Sequence, residues 1–214
     1  MRLVRQHLPH IPVPEVYDAS YGGGQGGMTM AAIPGTTLDK VWDKLADETK
    51  RKVYETSWSY IEQWRSIPRP ADVPNICLCT ADGRYSESIL VSAPDDDTKG
   101  LWTDEDVRNR IYERYLSSIP EPKPDLLEGL PRAQTSVFTH ADIAPRNIMF
   151  DPETQLITGV IDWEYAGWYP DYWEYATIFM DSGDWQDWMR VTVPSLISRP
   201  DLAALKKIRW TFLW

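Results

Sequence analysis

The sequence predicts a mixed α+β fold, and three observations carry that reading. Two short β-type runs stand near the start, residues 136–161 alternate β-type runs with turn residues, and the stretches between and after them have helical periodicity. The whole is 214 residues long, enough for one or two domains and for a sizeable core without covalent staples.

Composition narrows the class. With 43% apolar and 25% charged residues, the chain is neither collagen-like, coiled-coil nor wholly disordered. Against 22 Lys+Arg stand 32 Asp+Glu, a net charge of -10, so the basic surface that binding to nucleic acid relies on is missing and no nucleic-acid partner is expected. Cys77 and Cys79 are the only cysteines and there are three histidines, too few for a disulfide framework or a structural zinc site. No signal-type apolar core opens the sequence and no run of about 18 apolar residues occurs, so a cytoplasmic protein without a membrane span is expected.

Taken in order, Met1–Leu8 has helical composition, stopped by Pro9. Strands are expected over Val13–Tyr17 and Met28–Ile33, with the glycine run Tyr21–Gly27 as a flexible turn between antiparallel neighbours. Thr36 or Thr37 is a candidate cap for a short helix to Leu45. Asp47 would cap a longer one to Ile67, with Val53, Tyr54, Trp58, Ile61 and Trp64 on its buried face. Residues 68–102 read as loop, including the solvated run Ala93–Thr98, and Thr103–Asp106 as a capping box opening a helix with Val107, Ile111, Tyr115 and Leu116. A linker, Pro120–Pro131, follows. Ser136–Thr139, Asn147–Phe150 and Leu156–Ile161 are β-type, the last two joined by the hairpin connection Asp151–Gln155. Beyond Pro170 the chain reads as helical, broken at Ser182–Gly183 and Ser198–Pro200.

Chemistry concentrates in the β-rich segment. His140-Ala-Asp142 leads to Asn147, and fifteen residues later a strand ends in Ile161-Asp162-Trp-Glu164. The hairpin folds residues 147 and 162 back toward each other, which brings an amide oxygen and a carboxylate together as a hard cation such as Mg²⁺ requires. Asp142, on the loop before Asn147, is placed to accept the proton of a substrate hydroxyl as it attacks a γ-phosphate. Glu164 would assist through a metal-bound water.

His140-x-Asp142-x-x-x-x-Asn147, followed by Ile161-Asp162-Trp-Glu164-Tyr-Ala166, resembles the catalytic and metal-binding loops of aminoglycoside phosphotransferase and choline kinase-like enzymes. Pro145-Arg146-Asn147 and Ala166-Gly-Trp-Tyr-Pro170-Asp-Tyr-Trp-Glu174-Tyr are similar to fungal members, and Met28–Gly35 resembles their hinge strand beneath the nucleotide base. The resemblance implies a protein-kinase-like fold: a mostly helical large lobe with a catalytic-loop β-hairpin over 36–214, and a truncated small-lobe β remnant and hinge over 1–35. It implies ATP and Mg²⁺ as cofactors, the nucleotide against Met30, Ala31, Ala32 and Ile33, and a small-molecule hydroxyl as acceptor. Asp142 becomes the catalytic base, Asn147 and Asp162 the magnesium ligands, His140 a loop organiser, and Arg146 and Glu164 supporting residues.

One pattern departs from the family. Gly22-x-Gly24-x-x-Gly27 has the spacing of a phosphate cradle, but it opens no helix and the run Met28–Ile33 carries no lysine. The phosphate-gripping lysine and its acidic partner are absent, a loss worth on the order of 3 to 5 kcal/mol of barrier. Impaired transfer is therefore one expectation, and a non-catalytic binding or scaffold protein the alternative. A two-stranded remnant is marginal and its open edges pair with other chains, so residues 1–34 are expected to be the least protected part and the site of self-association.

Overall fold

The computed structural model describes residues 1–22, 25–86, 88, 90–91, 100–120, 126–180, 185 and 202–211. The chain forms two compact units, each assembled from two separate segments.

The first unit comprises Met1–Ile67 and Ile143–Trp163. Helix α1 (Arg2–His7) buries Val4 and gives way to an extended segment with Ile11 and Val13 in the core. Strands β1 (Val16–Gly22) and β2 (Gln25–Met30) form an antiparallel two-stranded sheet. The strands therefore begin three residues away from their expected positions and absorb most of the glycine run: Gly22 pairs with Gln25, so only Gly23 and Gly24, outside the described residues, connect them.

Thr36 and Thr37 cap no α-helix. They form β3 (Thr36–Thr37), paired with Phe150 and Met149, and the expected short helix is instead two 3₁₀ turns, Leu38–Lys40 and Trp42–Lys44. Helix α2 (Asp47–Arg65) follows, with Ala46 rather than Asp47 at the cap; Asp47 and Glu48 lie in its first turn, where carboxylates favour the helix dipole. Val53, Tyr54, Trp58, Ile61 and Trp64 are all buried, as their helical spacing predicts.

In the second unit, Pro68–Asp142 with Glu164–Trp214, the expected loop contains β4 (Cys79–Thr80), and Leu78 bridges to Leu101. Helix α3 (Asp104–Ser118) opens with the anticipated capping box: the Asp106 amide donates to Thr103 Oγ1 (3.1 Å) and the Thr103 amide to the Asp106 carboxylate (2.8 Å). The linker holds a single helical turn, α4 (Leu126–Gly129). Strand β5 (Ser136–Thr139) lies where expected.

Returning to the first unit, a 3₁₀ turn (Pro145–Asn147) leads into β6 (Ile148–Asp151) and β7 (Leu156–Val160), giving the sheet order β3–β6–β7. In the second unit β8 (Gly167–Pro170) completes the order β4–β8–β5. This strand was not foreseen; all four of its residues are buried, and a Cβ on Gly167 would come within 2.1 Å of the Cys79 carbonyl oxygen, so only glycine fits there. Helices α5 (Trp173–Met180) and α6 (Leu202–Thr211) pack together. Trp168, Tyr169, Tyr172 and Trp173 are core residues of this unit. The runs Ala93–Thr98, Ser182–Gly183 and Ser198–Pro200 lie outside the described residues. No helix among the described residues is long and apolar enough to cross a membrane.

Candidate functional site

In the first unit the β6–β7 hairpin brings Asn147 and Asp162 to one end. Ile148 pairs with Val160 across the hairpin, and just beyond this pair the Ile161 amide donates to the Asn147 carbonyl at 2.9 Å. Asn147 is 4% exposed, whereas Asp162 is exposed and left-handed, with φ 63°. Asp tolerates this backbone region better than most residues because its short carboxylate bonds locally. Trp163 pins the turn that follows: its indole N–H donates to the Val160 carbonyl (2.8 Å) and its ring meets Trp64 edge-on at 5.3 Å. Arg146, on the 3₁₀ turn beside Asn147, is exposed.

The hinge candidates also belong to this unit. Met30 ends β2, and the Ala31 amide donates to the Glu15 carbonyl (2.8 Å), extending the ribbon by one bond. Ile33 lies against β7, where a Cβ on Gly159 would come within 2.7 Å of Ile33 Cγ2. The Thr158 hydroxyl donates to the Pro34 carbonyl at 2.6 Å. Residues 30–34 are therefore fastened at one end to the ribbon and at the other to the hairpin that carries Asn147 and Asp162.

The second unit holds His140, Asp142 and Glu164. His140 is fully buried at the end of β5, and its Nδ1 accepts the Asp142 amide at 3.3 Å, which leaves the ring proton on Nε2. Between them Ala141 is left-handed (φ 69°), unusual for a residue with a Cβ. The carboxylate of Glu174, fully buried in the first turn of α5, accepts the His140 amide (2.8 Å) and the Ala141 amide (3.0 Å). The sequence gives no sign of this contact: the partners of Glu174 are backbone groups more than thirty residues away, which leave no side-chain signature. Glu164 is exposed; close by, the Tyr169 hydroxyl donates to the Tyr165 carbonyl (2.7 Å) and accepts from Ser86 (2.6 Å). Burial raises the Tyr169 phenol well above its ordinary range, so it remains a neutral donor.

Asn147 and Asp162 both carry oxygen donors of the kind a magnesium ion takes. Among the described residues no group of three His, Cys, Asp or Glu is assembled to cage a metal, while Asn147 and Asp162 offer the two hard oxygen-bearing side chains that Mg²⁺ takes when waters and phosphate oxygens supply the rest.

A family model described as the phosphotransferase enzyme family matches residues 1–199. An aminoglycoside 3'-phosphotransferase of Streptomyces fradiae is 24% identical over 161 residues, which are 75% of this chain and 55% of the relative, so the chain spans little more than half of that enzyme's length. Among solved structures, an aminoglycoside phosphotransferase complex with GDP and kanamycin aligns with a TM-score of 0.61 at 17% identity, covering 98% of this chain and 70% of that one. Aminoglycoside phosphotransferase APH(4)-Ia aligns at 0.56 and 20%, covering 99% and 70%. A third, from Streptomyces rimosus, in complex with ADP and streptomycin, aligns at 0.53 and 16%, covering 100% and 80%. These likenesses establish the protein-kinase-like fold anticipated from the motifs.

Proposed function

Because the chain belongs to the phosphotransferase enzyme family, we propose that it transfers the γ-phosphate of ATP to a hydroxyl of a small molecule. The observation that carries this reading is the loop His140–Asn147, in which a buried histidine and a buried carboxylate fix the backbone on which Asp142 stands. Asp142 accepts the hydroxyl proton as the acceptor oxygen forms its bond to phosphorus and the bond to the ADP oxygen breaks. Asn147 and Asp162 would hold Mg²⁺, which when bound neutralises phosphate charge. Met30, Ala31, Ala32 and Ile33 would line the base, and Arg146 and Glu164 support the loop ends. In this reading residues 1–35 serve as small-lobe strands and hinge, residues 36–214 as the large lobe, and the protein works in the cytoplasm.

Nucleotide use is supported by structural neighbours that hold GDP or ADP; kanamycin and streptomycin, held by two of them, make amine-bearing polyols the first acceptors to try. A second reading, a binding protein without turnover, is favoured by one observation: neither β1 nor β2 carries a lysine. The test is ATP consumption with Mg²⁺ and a panel of aminoglycosides, amino alcohols and other small hydroxyl compounds. Acceptor-dependent ADP release that Asp142→Ala lowers by about 10²–10⁴-fold supports transfer. Undiminished release by Asp142→Ala removes the mechanism, and Mg²⁺-ATP binding without release by the unaltered protein favours the second reading.

A further inference from the structure

Phosphoryl transfer needs positive charge on the phosphate chain, and in kinases a lysine on a strand supplies part of it. Neither β1 nor β2 carries a lysine. The segment that brings Asn147 and Asp162 together is itself poor in cations: between Arg132 and Arg190 stand ten Asp and Glu residues and a single Lys or Arg, which is Arg146. That lone cation sits one position before Asn147. The other cations of the first unit lie on α1, the two 3₁₀ turns and α2. Several are engaged where they stand: Arg5 donates to the Val13 carbonyl (2.8 Å), Lys50 lies 5.0 Å from the centroid of the Trp42 ring, and Arg51 and Lys52 pair with Glu55 and Glu48 one turn away.

Arg146 combines a fixed base with an exposed side chain. Pro145 opens its 3₁₀ turn, the Asn147 amide donates to the Ala144 carbonyl (2.9 Å), and the Ile161 amide ties the Asn147 carbonyl to the hairpin (2.9 Å). Consecutive Cα atoms are about 3.8 Å apart, so the long arginine stem has the length to bring its guanidinium to phosphates bound beside Asn147. A guanidinium stays charged at any working pH and its fork of N–H groups matches phosphate oxygens. We infer that Arg146, besides supporting the end of the loop, grips the phosphates of the nucleotide and supplies the charge that the strands do not. The rival role for an arginine at this place is to hold an anionic group of the acceptor; the two roles load on different equilibria, one on nucleotide binding and the other on acceptor binding.

The inference rests on the reading of the chain as an ATP-dependent phosphotransferase, so the experiment compares a nucleotide with its phosphate-free counterpart and needs no turnover. Mg²⁺-AMP-PNP and adenosine are titrated calorimetrically into the unaltered protein, Arg146→Ala and Arg146→Lys. Arg146→Ala is expected to weaken AMP-PNP binding by about 10–100-fold and to leave adenosine binding within about twofold. Its melting temperature should stay within about two degrees, because the residue is exposed. Arg146→Lys keeps the charge but not the fork and should recover part of the loss. Added salt should weaken AMP-PNP binding more steeply for the unaltered protein than for Arg146→Ala. Arg146→Gln takes the place of the alanine variant should that one not fold. Equal AMP-PNP affinities for the unaltered and alanine proteins overturn the inference, as does an equal loss for AMP-PNP and adenosine. A raised KM for the acceptor with AMP-PNP binding unchanged gives Arg146 to the acceptor and overturns it too. An unaltered protein that binds AMP-PNP no better than adenosine refutes the phosphate grip while nucleotide use stands; one that binds neither refutes the proposed function, and the inference with it.

Discussion

The carbonyl of Asn147 accepts the amide of Ile161 at 2.9 Å, so the backbone itself brackets the end of the hairpin from which Asp162 projects. Asp162 holds φ 63° there, a conformation asparagine also tolerates. Asp162→Asn should therefore leave the melting temperature within a few degrees while removing the charge a cation needs. Turnover is expected to fall by at least about 100-fold, a loss of ~2.7 kcal/mol. Titrating Mg²⁺ against ATP consumption for the two proteins checks this, and an unchanged metal requirement would remove Asp162 from the site.

The indole of Trp163 links that turn to α2 through its bond to Val160 and its edge contact with Trp64. Trp163→Phe keeps most of the ring but strands a carbonyl, a cost of ~1–2 kcal/mol. Trp163→Ala also opens a cavity and should cost ~3–5 kcal/mol. Thermal melts read both, at roughly 2–4 °C per kcal/mol for a chain of this size. A melting point unaffected by the alanine variant would mean that the turn stands without its indole.

Cys77 and Cys79 are both free thiols. Burial first, and the carboxylate of Asp104 next, push the Cys77 thiol up to about 12; burial also raises Cys79. At pH 8 only about one Cys77 in 10⁴ is then a thiolate, so alkylation of the native protein should be slow and become rapid in denaturant. The linkage has a definite sign: the unfolded thiol ionises near its ordinary value while the folded one stays neutral. Its contribution to stability is thus complete below about pH 8.5 and lost as pH rises from there toward 12. Native alkylation as fast as that of the denatured chain would contradict the burial.

Where sequence order and spatial order coincide, the fold was legible. The period of Val53, Tyr54, Trp58, Ile61 and Trp64 marks α2, Thr103 and Asp106 mark the start of α3, and Asp151–Gln155 marks the turn of the hairpin that unites Asn147 with Asp162. Legibility ended where partners are remote. Strand β8 is a strand because Cys79 and Phe138, distant in sequence, flank Trp168, and nothing in Gly-Trp-Tyr-Pro announces either neighbour. Glu174 likewise acts on backbone amides, which every residue carries. Gly22, Gly26 and Gly27 misled in the other direction: they signal a loop by composition, yet the register of Ala19 with Met28 and Ser20 with Gly27 draws them into the ribbon.

That ribbon is the last point to test. It is a two-stranded sheet whose register puts Val16 opposite Met30 and Ala19 opposite Met28, and no third strand pairs with it among the described residues. Tyr17, Met28 and Met30 are 61%, 44% and 40% exposed, so apolar side chains and open strand edges coincide. Burial argues against the expected looseness for the first part of residues 1–34: Val4, Ile11 and Val13 are buried, and the Val160 amide donates to the Pro12 carbonyl at 2.8 Å. The expectation of low protection therefore narrows to the ribbon strands, Val16–Gly22 and Gln25–Met30, and the amide of Ala31 that extends them. Isolated ribbons open readily, so the Ala31 amide, bonded to Glu15, should exchange at least about 100-fold faster than the Val160 amide, although both bonds are 2.8 Å long. The same open edge should make the chain self-associate as its concentration rises, with added protection at 16–30 rather than elsewhere. Equal exchange at Ala31 and Val160 would show that the ribbon is held as firmly as the hairpin, and a monodisperse monomer at high concentration would rule out association through its edge.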